Sequence, residues 1–141
     1  MPISSEERKA ASIKILQEQQ VPFIEHLPPI GDISELRRRS PEQIAARAVC
    51  SLMTIQVACD YLQQEDAKAV KKSISFFKKL LRQFGVSKQL TPMEKRIFSG
   101  SFSQQEAIDA SWRYESYWVL LWALGLVEEL SYPSETCDCT F

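Results

Sequence analysis

The sequence predicts an all-α protein, a helical bundle of about five helices with a proline-rich, extended arm between the first and second. Three observations carry that expectation. Helix-start signals of the capping-box type recur along the chain, at Ser40-Pro-Glu-Gln43, Thr91-Pro-Met-Glu94 and Ser103-Gln-Gln-Glu106. In each, a hydroxyl can accept an orphan backbone N–H while the acid or amide three residues on reaches back. Apolar residues then repeat at three- and four-residue steps. Strand-like sequence is confined to one short segment.

Taken in order, the first helix spans Glu6 to Gln19 behind Ser5, with Ala10, Ile13 and Leu16 along one side. The arm follows, 21–39, and carries Pro22, Pro28, Pro29 and Gly31. Its "VPFIEHLPPI" alternates in part and reads either as a short strand or as an arm packed across the helices. Pro41 opens the second helix at the position where a missing N–H costs nothing. That helix reaches about Leu62 and puts Ile44, Ala48, Val49, Leu52, Ile55 and Cys59 on one face. The third runs from about Glu65 to Phe84, with Val70, Ile74, Phe77, Leu81 and Phe84 as its stripe and Gly85 as its stop. A short fourth helix covers 92–98. The last is expected as one helix from Gln104 to about Glu129, before Pro133.

Length and composition bound the function. A chain of 141 residues is expected to be a single helical domain, 1–141, and to bury a core without metal or disulfides. The formal net charge of −1 gives no global pull towards nucleic acid or membrane. The longest apolar run, Tyr117 to Val127, is too short to span a bilayer. The N-terminal segment carries acids and no apolar signal core, so a cytoplasmic location and reduced thiols at all four cysteines are expected.

The stretch "SWRYESYWVLLWALG", 111–125, holds all three tryptophans. A helix apolar on all sides belongs at the centre of a bundle, so Trp112, Trp118 and Trp122 are expected in the core, with an aromatic wall around a ligand as the alternative. Asp109 stands four residues before Arg113 and can pair with it. Glu115 has no basic partner in its own helix and sits among tryptophans. It is expected to be buried and charge-paired, with Arg47 the first candidate and Arg113 the second.

Other constellations are weak. His26 is the only histidine, lies in the proline-flanked arm and has no nucleophile motif beside it. Cys137-Asp-Cys139 lacks a second ligand pair, so no metal is expected. The four glycines are scattered, which excludes a phosphate loop. Arg37, Arg38 and Arg39 precede the cap at Ser40 and are the candidate anion site, with a solvated charge cluster as the plainer reading. The lysines of the third helix read as a wet outer face without the exposed aromatics of a nucleic-acid binder. No cofactor is implied.

In order along the chain, "RRSPEQIAARAVCSLMTIQVACDY", "LTPMEKRIF" and "QQEAIDASWRYESYWVLLWALGLVEELSYPSETCD" resemble the domain of unknown function 4272 family. The motif Trp112-Arg113-x-Glu115-x-x-Trp118-x-Leu120-Leu121-Trp122-Ala123-Leu124-Gly125 is long and specific, and the resemblance covers nearly the whole chain. It implies a mostly helical, mainly bacterial domain with no assigned activity. Relatives run on past the counterpart of Cys137-Asp138 with further helical segments, so this chain reads as a short or truncated member lacking a C-terminal helical extension. A bundle lacking that tail is expected to form a homodimer around Leu126, Leu130 and Tyr132.

The function expected is binding: a non-catalytic helical module acting on an unknown protein partner, with no nucleic acid and no membrane. A specialised version, from the resemblance alone, is an immunity or regulatory protein of a bacterial conflict system. The alternative is an enzyme with a polar pocket around Arg47, Arg113, Glu115 and Trp118.

Overall fold

In the computed structural model, the described residues are 3–63, 66–130, 132 and 134–137, and they contain helices and turns but no strand. The chain divides into two compact units, 1–39 and 40–141.

The first unit is α1(Ser5–Glu18) and the arm. Its cap is Ser4, one residue earlier than expected. The Ser4 hydroxyl accepts the Glu7 N–H at 3.2 Å and the Glu7 carboxylate accepts the Ser4 N–H at 2.8 Å, which holds the Glu7 carboxyl below its ordinary range. At the other end Gln20 takes φ +56, and the Val21 N–H donates to the Leu16 carbonyl at 2.8 Å. This is the left-handed turn usually given to glycine. The arm forms no strand: its prolines remove donors, and no second extended segment accompanies it. Polar contacts tie it to α1 instead. Arg8 donates to the Ile30 and Gly31 carbonyls at 2.7 and 2.8 Å, and Asp32 accepts the Ser5 N–H at 2.7 Å. No residue of α1 is fully buried.

The second unit is built around α2(Pro41–Leu62), which packs against every other helix of the unit: α3(Ala67–Gln83), α4(Pro92–Ser99), α5(Gln104–Ser111) and α6(Tyr114–Ala123). A short 3-10 turn, Ser87–Gln89, joins α3 to α4. The centrality of α2 follows from its small side chains. Ala46, Ala48, Cys50, Ser51, Thr54 and Ala58 are all buried and let neighbouring backbones approach from several sides. Its buried surface therefore exceeds the single face that periodicity picks out. One core cluster joins Ala46, Cys50, Val57 and Ala58 to Val70, Ile74 and Leu81 of α3, Ile97 and Phe98 of α4, and Ala107 and Ala110 of α5. A smaller one joins Ala48 and Ile55 to Tyr117 and Leu121 of α6.

The expected capping boxes at Ser40, Thr91 and Ser103 all form. Gly85 ends α3 with φ +70, and the Val86 N–H closes back on the Leu81 carbonyl at 3.0 Å. The last segment differs from expectation. It is two helices, broken at Trp112–Arg113, and helical structure ends at Ala123 rather than near Glu129. No proline or glycine marks the break. The Ser111 hydroxyl donates to the Ile108 carbonyl at 2.7 Å, competing with the backbone ladder. The bend also lets α5 fill the larger cluster and α6 the smaller, on different sides of α2.

α4 and α5 are joined by a two-bond clasp. Arg96 Nε donates to Glu106 Oε1 at 2.7 Å and its Nη2 to Oε2 at 3.2 Å. Arg96, with the Ser103 N–H, pulls the Glu106 carboxyl down to about 2, from an ordinary 4.5. A depressed folded-state pKa gives stability that is present above the unfolded value and lost as pH falls through the folded one. Glu106→Gln is therefore expected to lower the urea midpoint at pH 7, with the gap to wild type closing between about pH 4.5 and pH 2. A gap that stays constant down to pH 2 would contradict the clasp.

Candidate functional site

The candidate site is the outer side of α6 and the segment that follows it. α6 is apolar on nearly every position, yet only Tyr117 and Leu121 are fully buried. Trp112 is 65% exposed, Trp122 46% and Leu126 71%, and Val119 is exposed beside them. Trp118 is half-buried and packs on the smaller core cluster. The expectation that all three tryptophans lie in the core is thus corrected. Trp112 stands at the α5–α6 break, and among the helices α6 packs chiefly against α2.

A groove of about 730 Å³ is lined by Glu115, Trp118 and Val119 of α6 and by Glu129, Leu130, Tyr132, Ser134, Glu135, Thr136 and Cys137 of the segment after it. Gly125 follows the end of α6. With φ +73 it turns the chain out of α6, and the Leu126 N–H returns to the Leu121 carbonyl at 2.9 Å. Among the described residues that line the groove are three glutamates, no lysine or arginine, and a tryptophan, a tyrosine and a leucine. The groove is of the size that ligand and peptide pockets usually have.

Glu115 is not the buried, arginine-paired acid expected. It is exposed, and its Oε1 accepts the Cys137 backbone N–H at 2.8 Å. It holds the segment after α6 against the helix and so forms one end of the groove. Arg47 is engaged elsewhere. Its Nη2 pairs with Glu94 Oε1, and its Nη1 donates to the Gln89 carbonyl at 3.0 Å. Glu94 is fully buried and also accepts the Thr91 N–H at 2.8 Å, so one carboxylate caps α4 and anchors α2. A buried ion pair does exist, then, but its acid comes from the Thr91 capping box. The sequence signal for it is the box itself, whose glutamate has a long-range as well as a local partner. Arg113 is exposed at the helix break. The break removes the four-residue geometry expected with Asp109, whose carboxylate instead accepts the Gln105 amide at 2.8 Å. Neither Arg47 nor Arg113 lines the groove that holds Glu115 and Trp118.

Arg37, Arg38 and Arg39 are exposed in the first unit, as is His26. Among the described residues no group of three or more His, Cys, Asp or Glu could hold a metal ion. Cys139 lies outside the described residues. Cys50 is fully buried, its Sγ 3.6 Å from the Val86 carbonyl; burial pushes the thiol up, against a smaller opposite pull from Arg47. It is expected to stay unmodified by a thiol reagent at pH 8 in the native protein and to react once unfolded. Native-state labelling of Cys50 seen by peptide mass mapping would show that the α2–α3 core opens readily.

The decisive comparison covers almost the entire length: the family model for a domain of unknown function (DUF4272) matches residues 8–141. The chain belongs to the DUF4272 family. Neither a curated protein nor a solved structure matches it. Within this DUF4272 chain, the Trp112-to-Gly125 motif maps onto the helix break, the tail clasp at Glu115 and the exposed side of α6. No helix among the described residues is long and apolar enough to cross a membrane.

Proposed function

We propose that this DUF4272 chain is a non-catalytic binding module whose α6 groove takes a basic, apolar segment of a partner protein. The observation that carries the reading is the pairing of exposed Trp112, Val119, Trp122 and Leu126 with a groove lined by Glu115, Glu129 and Glu135 and, among the described residues, by no cation. Exposed aromatic and aliphatic side chains supply the energy of docking, and an exposed acidic rim selects the sign of the occupant. An amphipathic helix with lysine or arginine beside its apolar stripe meets both requirements. The same acidic surface repels nucleic acid and anionic membranes. It also disfavours the two-fold dimer around Leu126, Leu130 and Tyr132, which would set the groove's carboxylates against their own copies. A stoichiometric binder in the bacterial cytoplasm, such as an immunity or regulatory protein of a conflict system, fits this reading; that version rests on the family resemblance.

The enzyme reading needs Arg47, Arg113, Glu115 and Trp118 around one pocket. Arg47's guanidinium is held by Glu94 and Gln89 instead, which weakens that reading.

All three tryptophans lie between 112 and 122, so the chain reports on its own groove. A lysine–leucine amphipathic peptide is expected to shift the tryptophan emission to the blue, saturably and less tightly as salt rises. Its glutamate–leucine counterpart is expected to leave the emission unchanged. Equal responses to both peptides, no response to either, or a dimer in light scattering that buries the tryptophans without peptide would overturn the proposal.

A further inference from the structure

A second cavity lies in the same unit, between the end of α2, the length of α3 and the α4–α5 connection. It has a volume of about 720 Å³, and its lining includes Tyr61, Val70, Ile74, Phe98 and Phe102 with Lys71 and Lys78. We propose that this cavity binds a small amphiphilic anion, an apolar chain ending in a carboxylate or phosphate.

The apolar part of the argument is the floor. Val70, Ile74 and Phe98 are buried side chains of the main core whose outer edges reach the cavity, and Phe98 is only 2% exposed. Tyr61 and Phe102 form one wall as an edge-to-face pair with centroids 4.9 Å apart. Such a pair keeps its geometry without a ligand, so the chamber is largely formed in advance.

The charged part comes from α3. Lys71, Ile74 and Lys78 share one side of that helix at three- and four-residue steps, so both ammonium groups stand at the rim over the same floor. Both are exposed, and neither takes part in an ion pair among the described residues. Among the described residues, no aspartate or glutamate lines the cavity. Two described carboxylates near α3 are already engaged with that helix: Asp66 accepts the Ala69 N–H at 2.8 Å, and Asp60 accepts the Ser73 hydroxyl. Long lysine stems can lie along the apolar wall while their heads reach an anionic group at the mouth. An apolar floor under two cations that form no ion pair among the described residues selects a molecule of the opposite pattern. This site is independent of the acidic α6 groove, with which it shares no lining residue.

The probes are dodecanoate, dodecyl phosphate and dodecyltrimethylammonium, each below its micelle concentration, and dodecanol below its solubility limit. Binding is measured by calorimetry, with the Ile74 methyl resonance as a local readout. Dodecanoate or dodecyl phosphate should bind and shift Ile74, and whichever binds more tightly identifies the head group. The alcohol and the ammonium should bind at least tenfold more weakly. Lys71→Gln with Lys78→Gln should weaken the anion by roughly tenfold and leave the alcohol unchanged. Ala67→Phe, at an exposed lining position in the first turn of α3, should block every probe while thermal unfolding stays as in wild type. Equal affinity for anion and cation, an Ile74 signal that never moves, or full binding by the Ala67→Phe variant would overturn the proposal.

Discussion

Arg47→Met is expected to cost about 3–5 kcal/mol, more than removing its partner by Glu94→Leu. The asymmetry follows from burial. The Glu94 side chain is wholly inaccessible, whereas that of Arg47 is 31% exposed. Without Arg47, a carboxylate remains in the interior with the Thr91 N–H as its remaining partner. Without Glu94, the guanidinium still holds the Gln89 carbonyl and can turn towards water. That change loses the reach-back half of the α4 cap as well, which is worth about 1 kcal/mol. The double variant should recover much of the loss of the Arg47 single variant, because two apolar side chains leave no stranded charge. Urea unfolding of the four proteins measures the cycle. Additive losses would mean that the two side chains act independently.

The second large effect is Ile97→Ala, expected to cost about 2–5 kcal/mol. Ile97 is fully buried in the cluster where α2, α3, α4 and α5 meet, and neighbours held from four helices cannot close fully over the space it leaves. Trp122→Ala removes a larger side chain yet is expected to cost within about 1 kcal/mol, since that indole is nearly half exposed. The order is the reverse of what side-chain size alone gives. A Trp122→Ala loss of about 3–5 kcal/mol, the usual value for a core tryptophan, would place α6 inside the bundle.

Local signals were the legible part of this protein. A capping box is written in four consecutive residues, so Ser40, Thr91 and Ser103 mark α2, α4 and α5 without any knowledge of the fold. Gly85 and the α3 stripe are local in the same sense, and Val70, Ile74 and Leu81 are buried as their spacing implies. What was not legible depends on contacts far apart in sequence. The partner of Arg47 lies 47 residues away, and choosing between Glu94 and Glu115 required the path of α4 across α2. The break at Trp112–Arg113 carries no proline or glycine, and its one local trace is the Ser111 hydroxyl on the Ile108 carbonyl. Periodicity gives no orientation to a helix as uniformly apolar as α6. Burial is then the natural expectation, and it is met only where α2 covers Tyr117 and Leu121. The exposed remainder is what turns a core-like sequence into a candidate docking face. Glu115 was found as an outlier in the sequence, but its role as a holder of the Cys137 backbone depends on a chain reversal that no local pattern announces.

The claim that this face selects a basic, apolar partner is tested most directly by reversing its charge. Glu129 and Glu135 are exposed groove residues, and changing both to lysine leaves the Glu115 clasp intact. Calorimetric titration of wild type and of Glu129→Lys with Glu135→Lys, against the lysine–leucine and glutamate–leucine peptides, gives four affinities. The account predicts that the variant loses roughly tenfold or more for the cationic peptide and gains the acidic one. Unchanged preference for the cationic peptide in the variant would contradict it.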